Sequence, residues 1–138
     1  MIRKINKNDI DEVYNLGILY DSKFRNHYSL EDYINNPIYI INVFEDDNSI
    51  KGFIICTKMF DTVEILLIYV AEEYRKLGIG TALINNLSTE KGITNVMLEV
   101  SKENLPAYYL YKKLGFEVIS TRKGYYNGID AYVMKKVL

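Results

Sequence analysis

Between Ile38 and Val70 the sequence holds three β-rich runs, IYIINVFE, IKGFIICTKMF and TVEILLIYV, separated only by DDNS and DT. Links that short cannot carry a crossover, which needs about a dozen residues, so neighbouring runs must pair antiparallel as a meander. Every other segment has to pack on or beside it. Ahead of it, IRKI reads as a short strand. NKNDIDEVYNLGILYD then places Ile10, Val13, Tyr14 and Leu16 to Leu19 at helical spacing behind a cap candidate, Asn8. SLEDYINN, with a capping-box-like Ser29 and Asp32, stops before Pro37 and reads as a second, short helix. After the meander, GIGTALINNLSTEKG is expected as a helix closed by Gly92, TNVMLEV as a strand, and NLPAYYLYKKLG as a helix closed by Gly115. FEVISTR and DAYVMKKV form a final strand pair. The order β-α-α-β-β-β-α-β-α-β-β describes an α/β fold with a mixed, mostly antiparallel sheet flanked by helices.

At 138 residues the chain is expected to form one domain, 1–138. Seventeen Lys and Arg stand against eighteen Asp and Glu without a basic block, which leaves direct nucleic-acid binding no electrostatic footprint. The single Cys56 lies in the apolar run GFIIC and reads as a buried, inert thiol, and the lone His27 cannot build a metal site by itself. No metal is expected. The chain opens MIRKINKNDI, shows no signal-type segment and no run of about eighteen apolar residues, so the expectation is a soluble, cytoplasmic protein without membrane contact, as a monomer or homodimer.

The chemistry-bearing segments lie in the second half. VAEEYRKLGIGTAL turns a strand into a helix through Arg75, Gly78 and Gly80, an R-x-x-G-x-G loop. It is not a Walker A loop, because Thr81 and Ala82 follow Gly80, nor a dinucleotide fingerprint, because Leu83 stands where a third Gly belongs. What remains is shared physics: glycines let backbone approach a ligand, and the first N–H groups of a helix can hold an anionic diphosphate. Further on, NVMLEV places Val96, Leu98 and Val100 on one face and Asn95, Met97 and Glu99 on the other, with Glu99 at the carboxyl end of a strand, where open α/β sheets bind ligands. Glu99 is thus either a half-exposed strand-end carboxylate or a base. Tyr111 belongs to the stripe Ala107, Leu110, Tyr111 and Leu114, the pattern of a buried helix face.

The segment YRKLGIGTAL resembles the pyrophosphate loop of the GCN5-related (GNAT) N-acetyltransferases, whose element order is the order above. LEVSKENLPAYYLYKKLGFEVISTRKGYY followed by DAYVM is similar to the branch of that family that acetylates ribosomal-protein alanine. The resemblance is strong from about Leu67 to Met134, half the chain, and in layout only before that.

It implies acetyl transfer from acetyl-CoA to a primary amine, most directly a protein N-terminal α-amino group. Arg75, Lys76, Leu77, Gly78, Ile79, Gly80 and Thr81 would then offer backbone to the pyrophosphate. Ile68, Tyr69 and Val70 would meet the pantetheine arm, with Val70 N–H near the thioester oxygen. Asn104 would contact the cofactor, serve as an ordinary helix cap, or both. Glu99 would act as base, directly or through water, and Tyr111 as the acid that protonates the departing thiolate. Tyr125 and Tyr126 would flank the acceptor, unless they are a plain strand-end pair. Two departures from the family pattern bear on the acceptor. Asp130 alone represents an acidic pair and follows Tyr126 after a shortened link, and RNHYSLEDY lacks the usual Pro-Trp feature. The alternatives are acetylation of a polyamine or other small amine, acetylation of a lysine side chain, a CoA-binding module without turnover, and a regulatory subunit whose tyrosines meet a partner.

Overall fold

The computed structural model describes residues 1–138, apart from the side chain of Tyr126. Its centre is the meander, fixed by two-residue turns. Asp47 and Asn48, both at positive φ (50° and 60°), join β2 (Tyr39–Asp46) to β3 (Ser49–Met59), and Phe60 (φ 56°) and Asp61 join β3 to β4 (Thr62–Val70). In the first turn, positive φ at both central positions matches the right-handed twist of the flanking strands, and Asp and Asn tolerate it; in the second only Phe60 takes positive φ. β1 (Ile2–Lys4) extends the sheet antiparallel on the outer side of β2. On the other side β5 (Asn95–Ser101) joins β4 in parallel, followed by β7 (Ile129–Val137) and β6 (Glu117–Tyr126). The seven-stranded order is β1-β2-β3-β4-β5-β7-β6. This is the mixed, mostly antiparallel sheet that the spacing of the runs predicts.

One face of the sheet is covered by α1 (Ile10–Tyr20) and two single turns, α2 (Phe24–His27) and α3 (Leu30–Tyr33). Val13, Tyr14, Phe24 and Leu30 pack there on Val43, Phe53, Ile55, Leu67 and Tyr69. The opposite face is covered by α4 (Ile79–Asn86) and α5 (Leu105–Lys113), with Leu83, Ile84 and Leu87 over Ile54, Val63, Ile65, Val96, Leu98 and Met134. Burying each such side chain contributes about 1.5–3 kcal/mol. A Cβ on Gly17 would lie 2.5 Å from the Phe24 ring, so the glycine in α1 is what lets Phe24 enter the core.

Four local expectations change. Asn8 is not the cap of the first helix: Asn6 and Asp9 form a capping box one turn earlier, with Asn8 N–H donating to Asn6 Oδ1 at 2.9 Å and Asn6 N–H to Asp9 Oδ2 at 2.7 Å. Ser29 makes no side-chain cap bond, the Leu30 N–H is met by the Tyr14 hydroxyl (2.9 Å), and the helix expected there is the single turn α3. The turn α2 was not foreseen; burial of Phe24 creates it. The helix over 78–92 ends at Asn86, where Leu87, fully buried, turns the chain into a 3-10 segment, and Gly92 (φ 80°) closes the loop after it. Gly115 (φ 99°) does follow the end of α5.

The decisive irregularity is in β4. Ile55 pairs with Leu67 but Cys56 with Ile65, so Leu66 is an extra, bulged residue. The bulge resets the alternation: Val63 and Ile65 before it, and Ile68 and Val70 after it, all pack toward α4 and α5, while Leu67 and Tyr69 turn to α1. It also bends the strand away from β5. The parallel ladder holds only for Thr62 to Glu64 against Asn95 to Met97, and beyond it the two strands part.

Candidate active site

Two adjoining cavities open where β4 and β5 part. The larger, about 450 Å³, runs from Ile68, Tyr69 and Val70 past Arg75, Lys76, Gly78, Ile79, Gly80 and Thr81 to Leu110 and Tyr111. The smaller, about 230 Å³, lies between Leu66 to Ile68 on β4 and Leu98 to Ser101 on β5, with Tyr20, Asn104, Ala107 and Tyr111 around it. Ile68 and Tyr111 line both.

The first cavity is built for an extended, anion-bearing ligand. Gly78 caps α4 at φ 84°, and the first amide to bond back into the helix is that of Ala82, to the Gly78 carbonyl at 2.9 Å. Among the described residues no acceptor meets the N–H groups of residues 76–81, which leaves these donors at the start of α4, beside the cleft, with the positive end of the helix dipole behind them. A Cβ on Gly80 would sit 3.8 Å from Ile68 and 3.9 Å from Val70, at the wall of the cleft, so its absence leaves room there. Along β4, the Ala71 N–H donates to the Lys51 carbonyl on β3 (2.8 Å). By antiparallel alternation the Val70 and Ile68 amides therefore point the other way, toward the opened gap. Arg75 does not extend into the cleft as a bare charge: its Nε donates to the Val70 carbonyl at 2.9 Å and its guanidinium lies 5.3 Å from the centre of the Tyr69 ring. Leu77, 70% exposed, lines neither cavity.

The second cavity brings Glu99 and Tyr111 together. The Glu99 side chain is only 13% exposed and ion-paired to Arg122, Nη1 to Oε1 at 3.1 Å. Tyr111 packs edge-on against Phe116 at 5.9 Å. Its hydroxyl meets no hydrogen-bond partner among the described residues, and burial, then the nearby Tyr20, pushes its pKa up, so it keeps its proton at neutral pH. The stripe that carries it is half-buried rather than buried: α5 contains no fully buried residue, and Leu110 stays 40% exposed at the mouth of the first cavity. Asn104 is a helix cap, its Oδ1 accepting the Ala107 N–H at 3.3 Å, and it borders the second cavity rather than the first.

Tyr125 lies outside both cavities, with the Arg122 guanidinium 4.9 Å over its ring, which leaves it linked to Glu99 through that arginine. The side chain of Tyr126 is outside the described residues. Asp130 is structural: its Oδ1 accepts the Gly124 N–H at 3.0 Å, and Lys102 stands 3.7 Å from its Oδ2.

Sequence reasoning missed Arg122, Tyr20 and also Tyr74, which lines the first cavity. The arginine opens the R-x-x-Y-Y stretch, but its partner is two strands away, with β7 between; Tyr20 carries no signal beyond its place at the end of α1. Cys56, fully buried, has its thiol pKa raised by burial, as an inert core thiol should. Among the described residues no group of three His, Cys, Asp or Glu could hold a metal ion, and no helix is long and apolar enough to cross a membrane.

Comparison with known proteins matches this architecture. The acetyltransferase (GNAT) family model matches residues 9–116. An N-alpha-acetyltransferase of Sulfurisphaera tokodaii is 32% identical over 96% of this chain and 90% of its own. A ribosomal protein bS18-alanine N-acetyltransferase of Haemophilus influenzae is 36% identical over 59% of this chain and 57% of its own. The crystal structure of Ard1 from Thermoplasma volcanium superposes with a TM-score of 0.84 at 29% identity, covering 100% of this chain and 97% of that one. A cleft lined by free amides at a helix start, beside a β4–β5 gap, fits the elongated diphosphate-bearing acetyl-CoA that such enzymes use. The chain belongs to the GNAT family of N-acetyltransferases.

Proposed function

We propose that this enzyme acetylates the α-amino group of a protein N-terminus, with Glu99 as base and Tyr111 as acid. The observation that carries the reading is the double placement of Tyr111, which lines both the cofactor-sized cleft and the cavity that contains Glu99. The names of two relatives, one acting on N-alpha groups and one on the alanine of a ribosomal protein, support the choice of acceptor.

Acetyl-CoA supplies a thioester, an acyl group already activated for transfer. The amides of residues 76–81 hold its diphosphate, and Ile68, Tyr69 and Val70 align the arm. Asn104 borders the second cavity and adds a contact there. An α-ammonium has a pKa of about 8 and cannot attack while protonated. Glu99, directly or through a water, takes that proton, and the freed nitrogen lone pair bonds to the thioester carbon. The Val70 N–H donates to the carbonyl oxygen as charge gathers on it. The carbon–sulfur bond then breaks, the electron pair leaves on sulfur, the Tyr111 hydroxyl delivers a proton there, and the second proton of the attacking nitrogen leaves through water, which restores the tyrosine and frees a neutral amide.

The test is CoA release measured with peptides bearing free N-termini, the same peptides N-acetylated, spermidine and free lysine. Turnover with free-N-terminus peptides at least about tenfold above the other acceptors, in kcat/KM, is expected. Preference for spermidine or lysine would overturn the choice of acceptor.

A further inference from the structure

Glu99 borders two different spaces. It lines the cavity shared with Tyr111, and it also lines a separate pocket of about 270 Å³ with Arg122, Ile119 and Val133, which Tyr111 does not border. Arg122 lines only the second of these. It belongs to β6, and β7 runs between β6 and β5: Glu99 is in register with Val133, and Val133 with Ser120. The guanidinium therefore crosses an intervening strand, about 10 Å of sheet, to reach the carboxylate. It arrives just before a break in the β6–β7 register between Arg122 and Tyr126, and the Tyr125 ring lies beneath it.

The pair is also lopsided in exposure. The Arg122 side chain is 55% exposed while the Glu99 side chain is 13% exposed, so this is a nearly buried acid held by a cation that itself remains wet. One guanidinium nitrogen serves both carboxylate oxygens, Nη1 to Oε1 at 3.1 Å and to Oε2 at 3.5 Å. A surface pair of two long flexible side chains contributes little, because ordering them offsets the attraction. Here one partner is already fixed in a strand, and what the second partner supplies is orientation.

Resting on the reading of Glu99 as base, we infer that Arg122 is a positioning residue of the acceptor site, which braces the Glu99 carboxylate from behind so that its open side faces the amine and Tyr111. Arg122 touches neither the cofactor cleft nor Tyr111. Its effect on turnover passes through Glu99.

A double-mutant cycle measures this dependence directly. With acetyl-CoA and an N-terminal-alanine peptide as the probe, Arg122→Ala is expected to lower kcat about tenfold with the KM for acetyl-CoA unchanged. Arg122→Lys, which keeps the charge but loses the planar fork, should recover part of the loss, and so should added guanidinium at millimolar concentration with the alanine variant. In a Glu99→Gln background Arg122→Ala should cost less than about twofold more. Melting temperatures of all five proteins within a few degrees of one another accompany the expected result. A full tenfold loss on Arg122→Ala in the Glu99→Gln background, or no recovery with lysine or guanidinium, would overturn the bracing role while leaving Glu99 as base. Wild-type turnover in Glu99→Gln alone would overturn the base reading and the inference together.

Discussion

Tyr111 shows how one residue can satisfy a helix and a reaction together. Its ring serves the helix, packed edge-on against Phe116, while its hydroxyl meets no partner among the described residues and the side chain lines both cavities. Replacing it with Phe therefore strands no buried donor or acceptor. Tyr111→Phe should leave the melting temperature and acetyl-CoA affinity near wild type and lower turnover about 10²-fold, read by calorimetry and steady-state rates on one preparation. A purely structural tyrosine would keep its specific activity in the same measurement. The position of Glu99 on its strand was legible because period-two alternation is a local property. Its bracing by Arg122 was not: no local pattern in either strand reports a contact that crosses a third.

At the scale of elements, hairpin turns read well and helix ends read poorly. Asp47 and Asn48 announce a two-residue turn through their own backbone preferences. The end of α4 is instead decided by Leu87 finding the core, and the start of α3 by the hydroxyl of Tyr14, both tertiary events. The β4 bulge at Leu66 was invisible for the same reason: a run of Ile and Leu satisfies either face. The loop into α4 is the element to test. Gly78 sits at φ 84°, where any side chain is strained, so the cleaner probe is Gly80, which lies outside that region and whose added Cβ meets only ordinary contacts. Gly80→Glu places an acid in the first turn of a helix, where the dipole favours it, yet against the anion the loop would hold. Titration calorimetry should show acetyl-CoA affinity weakened at least about tenfold with the far-UV spectrum unchanged. Undiminished affinity would remove the loop from the cofactor site.

At the scale of the whole molecule, one charged knot ties the first strand to the body. Arg3 grips Asp9 with two bonds, 2.7 and 2.9 Å, and reaches Glu45 on β2 at 3.1 Å, while Asp9 also accepts the Asn6 amide. The guanidinium hydrogen bond holds the Asp9 carboxyl below the usual range, against the opposing effect of burial. A carboxyl with a depressed folded pKa stabilises the fold above its unfolded value, about 3.9, and that stability is lost as pH falls through the lower folded value. Asp9→Asn should therefore cost about 1–3 kcal/mol at pH 7, and the gap from wild type should close in urea melts taken from pH 5 down to pH 2. A constant gap would exclude the linkage. The sheet these pieces hold together is closed by hydrogen bonds within residues 2–70 and within residues 95–137, and the two parts share a ladder only three residues long. Past that ladder the molecule carries two strand edges facing inward. On an outer surface such edges would recruit another protein's strand and seed aggregation. Folded inward and walled by α4 and α5, the same unspent pairing capacity is rationed by width, and only a slender, extended guest can reach it.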